Sequence, residues 1–229
     1  MKSADWDRLA RDFEAETCDI TREESADTVA RFVAAVPLPA KPVLVDLGCG
    51  IGSFIARFGM RFHAIYGVEF APRIIARARA RCGDEVNWLA SDIPWAAKTI
   101  GRVAHLTVCM NVITQATAAA RGRLWRSLAD VTKMRGHALV VVPSLESEEM
   151  VVALSRQEPE WRKGGLVRRD GVWQKHFRRE ELADVLASHG FRVTRIAKAH
   201  YPWSIEGLRE TKGRRANRPW DWIALARKT

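Results

Sequence analysis

Several features that would assign a chain at sight are missing here. The four cysteines, Cys18, Cys49, Cys82 and Cys109, include no C-x-x-C pair, so neither a disulfide framework nor a metal site is indicated. No apolar stretch approaches the length a membrane span needs. The opening Met1-Lys2-Ser3-Ala4-Asp5-Trp6 also lacks the apolar core of a signal peptide. A cytoplasmic protein with no membrane partner is expected. Internal repeats, low-complexity tracts and inter-domain linkers are absent too, so 1–229 reads as a single domain with ample length for a core.

What is present begins with charge. The chain carries a net charge of +10 and a pI near 9.9, a balance that favours acidic partners such as nucleic acid or carboxylated and phosphorylated small molecules. The organising stretch is Val43-Leu44-Val45-Asp46-Leu47-Gly48-Cys49-Gly50-Ile51-Gly52. Its apolar, β-branched half, bounded by Pro42 and Gly48, reads as a buried parallel strand. Glycines at alternate positions then let the backbone turn and approach a ligand with no Cβ in the way. A helix starting near Ser53 aims its free N–H groups at the same place.

A dinucleotide fingerprint requires G-x-G-x-x-G, and the sixth position here is Ser53. Asp46, two residues before the first glycine, suits an ammonium group rather than a pyrophosphate. Ile65-Tyr66-Gly67-Val68-Glu69 reads as a second strand ending in an acid, 21 residues after Gly48. A third strand, Val86 to Ala90, ends at Ser91-Asp92-Ile93. Three acids at three successive strand ends, together with the Asp46-Leu47-Gly48-Cys49-Gly50-Ile51-Gly52 motif, resemble the class I S-adenosylmethionine-dependent methyltransferases.

That resemblance implies an α/β fold: a doubly wound, seven-stranded, mostly parallel Rossmann-like sheet with an antiparallel last strand. It implies S-adenosyl-L-methionine as cofactor, leaving S-adenosyl-L-homocysteine as product. Asp46 would favour the cofactor's amino-acid end, with Gly48, Cys49, Gly50 and Gly52 forming the loop beneath it. Glu69 and its neighbour Phe70 would lie at the ribose, Asp92 and Ile93 at the adenine, and Asn111 beside the methyl. Taken singly, Glu69 also reads as a solvated strand-end charge and Asp92 as a helix N-cap.

Further elements follow from periodicity and punctuation. An N-terminal helical lid over 1–40 carries Trp6 and Phe13, with a helix from about Arg22 to Val36. The cofactor half spans 41–143, with strands Val103 to Met110 and His137 to Val142 separated by a helix from about Ala118 to Met134. Segment 144–176 reads as an insertion after the fifth strand: a helix from Ser144 to about Glu158, then a hairpin turned at Asp170-Gly171. A C-terminal half, 177–229, holds a helix Arg178 to His189, a strand Phe191 to Ala199 and the final strand Trp220 to Arg227.

Substrate-facing candidates are Trp6, Phe13, Trp173 and Trp203, with Trp161 as a further member of an aromatic wall; each serves equally as a core anchor. Candidate bases are His176 and Tyr201, with His200 beside them. The implied function is methyl transfer to a small acidic or aromatic molecule. One alternative is an RNA methyltransferase using the basic link Arg209 to Arg218 as a phosphate contact. It lacks both the Asn-Pro-Pro-aromatic motif (the chain has Met110-Asn111-Val112-Ile113) and a Pro-Cys motif. The other is a non-catalytic, cofactor-binding partner subunit.

Overall fold

The computed structural model describes residue 21 and residues 23–155, 159–169, 171–210 and 217–229. Trp6 and Phe13, the turn residue Asp170 and the basic residues Lys212, Arg214 and Arg215 of the link lie outside them. A seven-stranded sheet runs in the order β3-β2-β1-β4-β5-β10-β9. Its strands are β1 (Val43–Leu47), β2 (Ala64–Glu69), β3 (Asn87–Ala90), β4 (Ala104–Met110), β5 (Thr132–Pro143), β9 (Phe191–His200) and β10 (Trp220–Lys228). β1 is parallel to β2 and β4, and only β10 runs backwards, between β5 and β9. The expected architecture is borne out.

The period-2 alternation of each strand sends its side chains into two cores. From β5, Ala138, Val140 and Val142 face one side, and Leu139 and Val141 the other. From β10, Trp222 and Ala224 oppose Ile223 and Leu225 in the same way. One face is covered by α1 (Glu23–Ala34) through Val29, Phe32 and Val33, and by α2 (Ser53–Phe58) through Phe54, Ile55 and Phe58. The other is covered by α4 (Ile93–Ile100), α5 (Ala118–Val131) and α7 (Arg179–Ser188), which supply Ala96, Trp125, Leu128, Leu182 and Leu186. Between α2 and α4 runs α3 (Pro72–Cys82), opened by Pro72 at its first turn.

One boundary departs from expectation. The helical pattern suggested continuation to Met134, yet α5 stops at Val131 and β5 begins at Thr132. The Thr132 hydroxyl bonds Leu128 O at 2.6 Å and meets the Thr107 hydroxyl of β4 at 2.7 Å, both buried. That tertiary pairing overrides helix propensity, and the register then shifts between Ala104 and Leu106, with Arg135 at φ 64°.

Segment 144–176 leaves the sheet and returns to the same point. Ser144 bridges Phe177, Leu145 N donates to Phe177 O, and Phe177 N donates to Pro143 O. Between these ends lie α6 (Leu145–Ser155) and a separate three-stranded sheet of β6 (Glu160–Arg162), β7 (Leu166–Arg169) and β8 (Val172–Lys175). The helix is described as far as Ser155 and its expected end at Glu158 lies outside the described residues, while β6 is an addition to the hairpin.

Candidate active site

The chain moves outward from β1 through β2 to β3, then returns to lay β4 on the other side of β1. Connections diverge at that point, which leaves a crevice beyond the carboxyl ends of β1 and β4. The glycine loop fills it. Gly48 N and Cys49 N both donate to Val68 O, at 2.8 and 2.9 Å, and Gly52 N closes the turn onto Cys49 O. Gly48 has φ 75°, and a Cβ there would overlap the Val112 side chain. Gly52 has φ 77°, and its Cβ would sit 2.8 Å from Cys82 Sγ. Both positions therefore demand glycine for conformation and for space.

Two carboxylates flank this loop. Asp46 is 3% exposed and Glu69 8% exposed. Glu69 Oε1 accepts from Ala71 N at 2.9 Å, which fixes the side chain against the start of α3. Asp46 Oδ2 is buried with no hydrogen-bond partner among the described residues. Burial, and then the neighbouring Glu69 charge, push the Asp46 carboxyl up to about 7. A carboxylate held this way is stabilised by a cation or a hydrogen-bond donor brought beside it. Cys49 is buried and its thiol is pushed well up, first by burial and then by Asp46, so it is inert packing within the loop.

Asp92 is exposed, and its Oδ1 accepts from Trp95 N at 2.8 Å as the N-cap of α4, which Ile93 opens. Phe70 is 39% exposed immediately beyond Glu69. Asn111 follows β4 directly at φ 55°, a left-handed conformation rare outside glycine. Its Nδ2 donates to Asp221 Oδ2 at 2.7 Å, while its Oδ1 is buried without a partner among the described residues. Asp221 is 6% exposed, and burial followed by the Glu206 charge raises it to about 7 against the pull of the Asn111 bond. Sequence reasoning passed over Asp221. Its signal was an acid between two tryptophans at the start of an apolar strand, Trp220-Asp221-Trp222.

The substrate and base candidates scatter. Trp203 is 0% exposed, enclosed at the turn after β9. Trp173 lies under the Arg162 guanidinium at 4.2 Å in the small sheet, and Trp161 is 42% exposed there. Tyr201 OH donates to Glu206 Oε1 at 2.8 Å. His200 Nδ1 lies 3.2 Å from Arg218 O, and His176 N donates to Gly165 O. No group of three or more His, Cys, Asp or Glu among the described residues is placed to hold a metal.

A doubly wound sheet with one reversed strand and a carboxylate-flanked glycine loop at its switch point defines the methyltransferase class of α/β folds. Residues 44–136 match the family model described as a methyltransferase domain. No curated protein matches. Among solved structures, magnesium protoporphyrin IX methyltransferase from Synechocystis PCC 6803 with bound S-adenosylhomocysteine is 15% identical, with a TM-score of 0.65 over 99% of this chain and 95% of that one. The 1,6-didemethyltoxoflavin-N1-methyltransferase of Burkholderia thailandensis is 17% identical, with a TM-score of 0.66 over 99% and 87%. An S-adenosylmethionine-dependent methyltransferase from Mesorhizobium loti is 18% identical, with a TM-score of 0.62 over 87% and 96%. The chain thus has the Rossmann-like fold of the class I S-adenosylmethionine-dependent methyltransferases, and its residues 44–136 match a methyltransferase domain.

Proposed function

We propose that this chain methylates a small molecule, and that the crevice at the glycine loop holds S-adenosylmethionine. The observation that carries the reading is Asp46 Oδ2, buried two residues before Gly48 with no partner among the described residues, where an ammonium would satisfy it. In this reading Gly48, Cys49, Gly50 and Gly52 admit the cofactor's amino-acid end, Glu69 and Phe70 hold the ribose, and Asp92 and Ile93 border the adenine. When bound, the cofactor supplies a sulfonium methyl that is already an activated electrophile. The chain's task is then alignment, proximity and exclusion of water. A general base is required only where the acceptor's proton must leave early.

Two solved relatives named above are methyltransferases of small ring compounds, which supports the small-molecule reading. Of the two acceptor types suggested by sequence, we favour the aromatic one. Beyond the end of β4, Asn111 donates to Asp221, which also feels the Glu206 charge, and two acids so placed disfavour an anion beside them. The RNA alternative loses support in the described part of the link, where Arg218 is paired with Glu210 at 2.6 Å.

The test is transfer of label from tritiated S-adenosylmethionine into a cell extract separated into small-molecule, RNA and protein fractions. Enzyme-dependent label in the small-molecule fraction is expected. Label confined to RNA would return the link to a binding role, and cofactor binding without transfer anywhere would favour a partner subunit.

A further inference from the structure

We propose that Asp221 is a positioning residue for the cofactor site, acting through Asn111. Its bond to Nδ2 dictates that Asn111 turns Oδ1, rather than NH2, toward the cationic sulfonium end of the bound cofactor. The inference rests on the cofactor reading given above and extends it to a residue 110 positions away along the chain from Asn111.

β10 runs against the strands beside it, so its first residues lie where the parallel strands end. Asp221 accordingly sits opposite Pro143 of β5 and Ala199 of β9, at the level of the crevice. Asn111 is held there from both ends. Its backbone N donates to Val141 O at 2.9 Å, and its Nδ2 donates to Asp221 at 2.7 Å. The two ends of an amide have nearly the same shape, so packing alone does not choose between them. Above about pH 7, where Asp221 is ionised, its carboxylate does choose, because it accepts and cannot donate. With Nδ2 turned to Asp221, Oδ1 must face the opposite way, and there it is buried with no partner among the described residues.

Stability does not account for this arrangement. A buried carboxylate with no cation beside it among the described residues is costly, as is a non-glycine residue at φ 55°. The pair spends both to present one unsatisfied acceptor next to the loop that Val112 covers. A cation is the ligand such an oxygen recognises, and a polarised methyl can also approach it by a weak C–H···O contact.

The full-length chain and its Asp221→Ala, Asn111→Gly and double variants are titrated with S-adenosylmethionine by calorimetry. Glycine is used at 111 because it keeps the left-handed backbone. In parallel, the Asn111 side-chain amide is followed by 15N NMR in the wild type and in Asp221→Ala. The amide resonances are expected to shift on cofactor addition in the wild type and to lose that response in Asp221→Ala. Affinity is expected to fall about tenfold in Asp221→Ala, with the double variant no weaker than Asn111→Gly alone. Losses that multiply in the double variant, or an Asn111 amide unmoved by bound cofactor, overturn the proposal while leaving the cofactor site standing. Absence of binding in the wild type overturns the cofactor reading itself, and this inference with it.

Discussion

The crevice and the inserted sheet treat charge in opposite ways. At the crevice, Asp46 and Asp221 are buried acids with no cation beside them among the described residues. In the insertion, several charges are answered within the protein. Arg168 pairs with Glu160 at 2.9 Å, Arg162 lies over Trp173, and Lys175, with its side chain 1% exposed, reaches both Glu181 Oε2 and Gly164 O at 2.6 Å. Satisfied charges hold a structure together, whereas unsatisfied ones describe what is to be bound. The contrast predicts that substitutions in the first region alter ligand affinity, and those in the second alter stability.

The largest expected effect is at the loop. Gly48→Ala forces a side chain into Val112 at φ 75°, a conformation that L-residues resist. Cofactor affinity should fall roughly a hundredfold, since every ~1.4 kcal/mol is a factor of ten. Calorimetry checks it, and near-normal affinity would show that the loop does not approach its ligand closely. Next comes the insertion. Lys175→Met keeps the length of the side chain but strands Gly164 O and Glu181, so unfolding free energy should drop by about 2 kcal/mol. Cofactor affinity should not change; a large loss of it would break the division drawn between the regions.

Asp46→Asn sharpens the other side. Affinity for S-adenosylmethionine should weaken about tenfold, while thermal stability stays level or rises because a buried unpaired charge is gone. The sign with pH is fixed by the raised carboxyl. Folding lifts Asp46 from 3.8 to about 7, so between those values the native state binds more protons than the unfolded one. Stability contributed by this group therefore falls as pH rises from about 4 to about 7 and is flat above. Asp221 behaves alike. A bound ammonium favours the ionised Asp46, so the cofactor should raise the melting temperature more at pH 8 than at pH 5. The Asn variant should lose much of that difference.

Much of the crevice was legible because its signals are local. The acids at three strand ends and the glycines between them are fixed by a few neighbouring residues, and they fell where expected. The Asn111–Asp221 pair was not, since its partners meet only when β10 turns back beside β5, a long-range event with no spacing rule. The end of α5 was misread for the same reason: Thr132 is claimed by Thr107 across the sheet.

The smallest expected effect decides what Asp92 does. Its carboxylate caps α4 through Trp95 N, and a cap is a structural service of the kind seen in the insertion. Yet Asp92 follows β3 on the crevice edge, where an acid could also take a donor from the cofactor's adenine. Serine caps a helix nearly as well as aspartate, so Asp92→Ser separates the two roles. If the residue only caps, melting temperature and affinity both stay put. If it also meets the cofactor, stability holds while affinity weakens by about threefold, the value of one modest hydrogen bond. The second outcome is expected: Asp92 would then belong to the crevice, and its cap would be the means by which an exposed carboxylate is held still enough to bind.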